Sequence, residues 1–367
     1  MQQMKVIISG GGTGGHIFPA ISIANALKES VSDMEILFVG AEGRMEMEKV
    51  PAAGYDILGL PVAGLQRRLT FKNFTLPVKL IKSMNRAAKI IRDFKPDAVA
   101  GVGGYASAPV LWQAQRMGIP TLIQEQNSYA GLTNKFLSKR AKSVCVAYQG
   151  MERFFPKEKI CFTGNPVRQD LFELDRIRDE AVKFFDINSD SPVVLALGGS
   201  LGARTVNESI AGGLHEFEKN NIRLIWQTGK HYFNTAAKLA EGKPFVKVFD
   251  FIGKMNYAFS AADIIISRAG AGTISELCIV GKPAVLVPSP NVAEDHQTKN
   301  ANSLVNKNAA ISVKDEDARS RLVATVIELL GNSSRADGLK SNISKLAMPD
   351  AAGEIANRIL MIIKQYK

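Results

Sequence analysis

Short runs of consecutive apolar residues, each bounded by glycine, proline or charge, recur along the chain. Between them lie longer stretches whose apolar positions return every three or four residues, the period of an amphipathic helix. Residues 5–9, 35–39, 98–102, 121–124 and 143–146 read as strands covered on both faces, because they are continuously apolar rather than alternating. Residues 19–29 and 74–94 read as crossover helices. The pattern then starts again, with strands expected at 193–197, 222–226, 246–249, 264–267 and 284–287. Strands alternating with helices in this way predict an α/β fold with a doubly wound parallel sheet, built twice.

An internal echo supports two similar halves. Val6-Ile7-Ile8-Ser9-Gly10-Gly11-Gly12-Thr13-Gly14-Gly15 resembles Val193-Val194-Leu195-Ala196-Leu197-Gly198-Gly199-Ser200-Leu201-Gly202, each read as strand, glycine turn and helix. The punctuated segment Gly164-Asn165-Pro166 reads as the linker, which puts the domains at 1–165 and 166–349. A last helical stretch, 351–365, follows the breaker Met348-Pro349-Asp350 and could pack on either domain. At 367 residues, with 46% hydrophobic and 22% charged positions, each half is large enough to bury its own core. Three separated cysteines and four scattered histidines show no metal-ligand spacing and fit a reducing compartment. The apolar run at 6–8 is far shorter than the roughly 20 residues of a membrane span, so a cytoplasmic protein is expected.

Charge changes the picture in one place. The net charge is +11, and residues 66–95 alone hold nine basic residues against the single acid Asp93. Arg67, Arg68, Lys72, Lys79, Lys82, Arg86, Lys89, Arg92 and Lys95 are interleaved with Leu69, Phe71, Phe74, Val78, Leu80 and Ile81. Such a segment can lie on an anionic bilayer, each cation adding about 1 kcal/mol near the surface. It is equally compatible with an ordinary helix whose lysines face water. A nucleic-acid face is a third option, for which no recognition signature is present.

The candidate chemistry sits in the loops that follow the strands. Gly10-Gly11-Gly12-Thr13-Gly14-Gly15-His16 joins a strand to a helix, which points bare N–H groups and the positive helix end at a possible phosphate. It formally matches the dinucleotide fingerprint, but Val39-Gly40 occupies the strand end where an acid would hold a ribose, and Glu42 lies beyond it. His16 could act as a general base at cellular pH, or simply pack or cap. Ser267-Arg268-Ala269-Gly270-Ala271-Gly272-Thr273-Ile274-Ser275-Glu276 is a second small-residue turn opening a helix. There the amides of Ala271, Gly272 and Thr273 can meet a diphosphate and Glu276 both hydroxyls of a ribose. Gly198 to Arg204, Gly101 to Ser107, Gln124-Glu125-Gln126-Asn127 and Asp295 to Asn300 fall at further strand ends.

Taken together and in order, Gly11 to His16, Gly103-Gly104-Tyr105, Glu125-Gln126-Asn127 with Ala130 to Lys135, Gly164-Asn165-Pro166-Val167-Arg168, Gly199-Ser200-x-Gly202-Ala203 and Gln297-x-x-Asn300-Ala301 resemble the MurG family of bacterial glycosyltransferases. The resemblance implies the GT-B fold, two Rossmann-like domains facing across a cleft, with the C-terminal helix, about 350–367, returning to the first. It implies inverting, metal-independent transfer of N-acetylglucosamine from UDP-N-acetylglucosamine to the 4-hydroxyl of undecaprenyl-diphosphate-linked N-acetylmuramoyl pentapeptide, without a cofactor. The donor would meet Thr13, Gly14, Gly15, Asn127, Arg168, Ser200, Ile252, Ala271, Gly272, Thr273, Ile274, Ser275, Glu276 and Gln297. The acceptor side would include Gly12, Gly103, Gly104, Tyr105, Glu125 and Asn134, with His16 as base. Phe71, Lys72, Phe74, Lys79, Lys82 and Arg86 would form a membrane face. The protein would then work peripherally on the cytoplasmic side of the inner membrane, bind no nucleic acid, and meet cell-wall synthesis or division proteins. Two positions depart from relatives: Gln124 stands where some carry His, and His296 where some carry Gln. A diacylglycerol transferase of the same fold, a nucleotide-sugar epimerase and a non-enzymatic basic module are the competing readings.

Overall fold

The computed structural model describes residues 3–12, 14–62, 76–104, 106–187, 190–199, 202–292 and 295–366. The chain divides into two compact units, Met1–Val167 with Asp350–Lys367, and Arg168–Pro349. Among the described residues the first unit carries strands β1 (Lys5–Ser9), β2 (Glu35–Ala41), β3 (Asp56–Leu60), β4 (Ala98–Gly101), β5 (Thr121–Glu125), β6 (Ser143–Val146) and β7 (Ile160–Phe162). They form one parallel sheet in the order β3-β2-β1-β4-β5-β6-β7. Order reverses between β1 and β4, whose pairing aligns Ser9 with Gly101, so the two glycine turns that follow lie side by side.

Both faces of this sheet are covered, which explains the unbroken apolar runs. On one face Val6, Ile8 and Phe38 pack with Ile17, Ile23 and Leu27 of the helix Gly14–Ser30. On the other, Ile7, Val39 and Val99 pack with Ile91, Val110 and Leu111. The C-terminal helix Ala351–Tyr366 belongs to the first face: Ile355, Ile359, Ile362 and Ile363 are buried in that same core. Arg358 on its polar side donates to Ser143 Oγ at 3.0 Å.

The second unit repeats the plan with β8 (Val193–Leu197), β9 (Arg223–Gln227), β10 (Val246–Phe249), β11 (Ile264–Ser267), β12 (Ala284–Leu286) and β13 (Ile311–Ser312). The parallel order is β10-β9-β8-β11-β12-β13, again with the reversal at its first strand. Its core gathers Val194, Ala196, Leu224, Trp226, Ile264 and Ile266 with Val206, Ile210, Leu322 and Val326 from the covering helices.

Three strands escape the periodicity analysis. β3, with Asp56 and Leu58 exposed, and the short β7 and β13 are all edge strands. An edge strand keeps part of its surface in water and needs no continuous apolar run.

Ile359 is fully enclosed, so Ile359→Ala should cost the first unit about 2–5 kcal/mol. The chain's two tryptophans divide between the units, Trp112 in the first and Trp226 in the second. Denaturation of a Trp226→Phe background, which leaves Trp112 as reporter, should show the loss.

Candidate functional site

In the first unit the turn after β1 is locked from two sides. Gly11 N–H donates to Gly103 O at 3.3 Å, and a Cβ on Gly104 would overlap the Gly11 backbone, so the two turns interlock only as glycines. Beneath them lies Glu46, buried at the start of the helix Glu46–Ala52. Its carboxylate accepts from Gly12 N–H and from Ala41 N–H, both at 2.9 Å. The Gly12 amide is therefore turned inward to a carboxylate. That leaves Gly14 and Gly15, in the first turn of the helix Gly14–Ser30, as the ligand-facing part of this loop.

His16 sits in that same turn, half-buried, with its Cδ2–Nε2 edge over Gly103, where a Cβ would come within 2.5 Å of the ring. Withdrawal from water pushes its pKa down to about 4, and the Glu46 carboxylate pulls in the opposite direction. At neutral pH the ring is a neutral imidazole with a lone pair to offer.

The third loop of this unit follows β5. Glu125 is buried and its carboxylate is spent inside the loop: Oε1 accepts from Asn127 N–H at 3.0 Å, Oε2 from Gly131 N–H at 3.2 Å and Asn134 Nδ2 at 2.8 Å. Glu125 and Asn134, expected on the acceptor side, thus shape the loop that presents the half-buried Asn127. Gln124 donates to Asn165 Oδ1 at 2.7 Å, and Asn165 in turn donates to Gln126 O. β2 runs two residues past the expected end, so Glu42 follows the strand directly, where Arg86 pairs with it at 2.6 Å.

In the second unit the helix Ala271–Val280 begins after the extended Gly270, with no acidic residue in its first turn and open space beside Gly272. The N–H groups of Ala271, Gly272 and Thr273 are the helix's unsatisfied donors. One turn on, Glu276 accepts from Arg168 Nε at 3.2 Å. Burial raises the Glu276 pKa, Arg168 lowers it and Asp170 adds to the rise. The two residues expected to meet ribose and phosphate therefore hold each other.

Strand ends of this unit are joined by two side-chain amides, the half-buried Gln297 and the buried Gln227. Gln297 Oε1 accepts from Ala269 N–H at 3.3 Å and from Ser289 N–H at 2.8 Å, joining the loops after β11 and β12. Gln227, at the end of β9, donates to Gly199 O at 3.2 Å and accepts from Ile252 N–H at 2.9 Å. The Ile252 amide is thereby committed, and a ligand would meet that backbone at its carbonyl.

Glu46 and Gln227 are the residues that motif reading missed. A signal existed for Gln227, a polar residue directly after the apolar run Leu224-Ile225-Trp226; Glu46, in an acidic stretch of a short helix, had none. Thr13, Tyr105, Ser200, Phe71, Lys72 and Phe74 lie outside the described residues. Lys79, Lys82 and Arg86 are exposed on the helix Leu76–Phe94, together with Val78, Leu80 and Ile81. That helix packs on Ser107–Arg116, which packs on Leu132–Ser138. There Trp112 stacks on the exposed Phe136 at 5.3 Å, next to the exposed Leu132. Among the described residues no helix is long and apolar enough to cross a membrane, and no three His, Cys, Asp or Glu side chains gather as a metal site.

Comparison with known proteins agrees with this layout. Residues 6–146 match the glycosyltransferase family 28 N-terminal domain and residues 193–355 its C-terminal domain. The chain belongs to glycosyltransferase family 28. It is 56% identical over 365 residues, 99% of each chain, to a Parabacteroides distasonis protein named UDP-N-acetylglucosamine–N-acetylmuramyl-(pentapeptide) pyrophosphoryl-undecaprenol N-acetylglucosamine transferase. A Phocaeicola vulgatus protein of the same name is 56% identical over 369 residues, covering 100% of this chain and 98% of that one. The crystal structure of Acinetobacter baumannii MurG aligns with a TM-score of 0.78 at 30% identity, covering 98% of this chain and 99% of that chain. The two Rossmann-like units are those of the GT-B fold of family 28.

The depressed His16 pKa makes a stability prediction for this family 28 chain. Between pH 6.5 and about 4 the unfolded chain binds a proton on His16 that the folded chain refuses, so stability falls as pH drops through that window. His16→Gln should remove about 1–3 kcal/mol of the decline, read by comparing denaturation midpoints at pH 6.5 and pH 4.

Proposed function

We propose that this chain transfers N-acetylglucosamine from UDP-N-acetylglucosamine to the 4-hydroxyl of undecaprenyl-diphosphate-linked N-acetylmuramoyl pentapeptide, with inversion at the anomeric carbon. The observation that carries this is the full-length identity to proteins named for that reaction, together with a nucleotide-type site in the second unit. The acceptor hydroxyl attacks the anomeric carbon as the bond to the diphosphate breaks, and its electron pair leaves with UDP. Negative charge then grows on the diphosphate. The N-terminal amides of the helix Ala271–Val280 and the Arg168 guanidinium stabilise it, so the reaction needs neither metal nor cofactor. Donor binding draws Arg168 towards phosphate and frees Glu276 for the ribose hydroxyls. Gln297 uses its remaining amide donors on the sugar. His16, neutral at cellular pH, takes the acceptor proton.

The acceptor is a lipid, and the reading includes its membrane. Val78, Leu80, Ile81, Leu132 and Phe136 are exposed apolar residues of the first unit, and Lys79, Lys82, Lys139 and Arg140 are exposed cations on the same helices or just after them. This surface docks the protein peripherally on the anionic inner leaflet, at the cytoplasmic side. Cell-wall synthesis or division proteins at that leaflet would be its neighbours, and nucleic acid has no place in the scheme.

The test is transfer of labelled N-acetylglucosamine to a short-prenyl analogue of the lipid-linked muramoyl pentapeptide, with chelator present. Labelled disaccharide-lipid is the expected product; UDP-N-acetylglucosamine consumed without transfer would favour an epimerase or hydrolase. In the same assay Glu276→Ala should raise donor KM by the equivalent of about 1.5–3 kcal/mol. An unchanged KM removes Glu276 from the ribose. Replacing Lys79 and Lys82 by Ala should weaken binding to anionic vesicles by about 2 kcal/mol, ~30-fold, and spare turnover of the short-prenyl acceptor. Equal vesicle binding would place the membrane face elsewhere.

A further inference from the structure

Glu46 lies outside every motif that the function uses, yet it is 1% exposed directly under the first glycine turn. The fold makes room for it: a Cβ on Gly11 or on Gly40 would overlap its side chain. Two backbone N–H groups satisfy its oxygens, and no Lys or Arg among the described residues pairs with it. An enclosed carboxylate without a counter-charge is costly and opposes the approach of a second anion. It is an improbable component of a loop whose only task is to receive phosphate.

Its electrostatic partner is His16. Among the described residues Glu46 is the charged group that acts on the ring. The turn after β4 contributes Gly103, the ring's own helix turn contributes Gly14 and Gly15, and the C-terminal helix meets that helix through isoleucines, none of which titrates. Both side chains flank the interlocked turns at Gly11 and Gly103, and the carboxylate favours the protonated form of the ring.

We infer that Glu46 is a positioning residue for the transfer: it clamps the turn that carries His16 and supplies the counter-charge for the proton that His16 removes from the acceptor hydroxyl. This rests on the reading of His16 as the base. As the oxygen–carbon bond to the acceptor forms and the bond to the diphosphate breaks, the hydroxyl proton passes to the imidazole. The attraction of Glu46 is strongest when the imidazolium exists, so it lowers the barrier more than it affects substrate binding.

A double-mutant cycle decides the matter. Glu46→Gln should lower kcat roughly 10- to 100-fold, within the range a general base contributes, and leave donor KM within about twofold. In a His16→Ala background the same change should cost almost nothing further, because Glu46 acts through His16. Nuclear magnetic resonance of histidine-labelled protein should find His16 titrating at about 4 in the wild type and at lower pH in Glu46→Gln. Losses that simply multiply, or an unmoved His16 titration, overturn the inference and leave the base assignment standing. A His16→Ala variant with near-wild-type kcat overturns both. Should Glu46→Gln prove too unstable to purify, Glu46→Asp carries the same cycle: a smaller loss that again vanishes without His16.

Discussion

A parallel strand covered by helices on both faces can offer a ligand only its end. The candidate site of each unit follows from that constraint. Within each sheet the strands point the same way, so their carboxyl ends gather a row of turns along one edge. At the order reversal the crossover helices leave to opposite faces and the turns are not covered by a neighbour. In the first unit that place falls between β1 and β4, where Gly10 to Gly12 meet Val102 to Gly104. In the second it falls between β8 and β11, whose pairing aligns Leu197 with Ser267, so the turns that open at Gly198 and at Arg268 start side by side.

Turns without side chains need something else to hold them, and here buried or half-buried polar side chains do so. Glu46 clamps the first glycine turn, Glu125 draws its own loop inward, Gln227 joins the turns after β8 and β10, and Gln297 joins those after β11 and β12. Each satisfies backbone donors or acceptors that the turn would otherwise leave open, and each fixes which amides remain for a ligand. The consequence is electrostatic as well as geometric: Glu46 and Glu125 set carboxylates among the clamps of the first unit, beside the amide of Gln126 that donates to Val102 O. In the second unit Gln227 and Gln297 hold their turns as neutral amides.

The repeated architecture was legible in the sequence because burial on both faces writes itself as unbroken apolar runs: residues 5–9 and 193–197 read as strands and are strands. The edge strands β3, β7 and β13 were not legible, since half of their surface stays in water and their neighbours, not their residues, decide the pairing. The small-residue turn ahead of Glu276 was likewise legible, because a helix opening on Ala271-Gly272-Thr273 advertises bare amides whatever surrounds it.

What the sequence by itself determined is the set of backbone shapes: strand, glycine turn, helix, and the order in which they come. What only the tertiary structure decided is which side chains those turns close upon. Glu46 is 34 residues from Gly12 and Arg168 is 108 from Glu276, and no local pattern links either pair. The physical reason is that local conformation depends on neighbours in the chain, whereas the field at a buried group depends on neighbours in space. The low proton affinity of His16 and the raised one of Glu276 therefore belong to the folded units and not to the motifs that contain these residues.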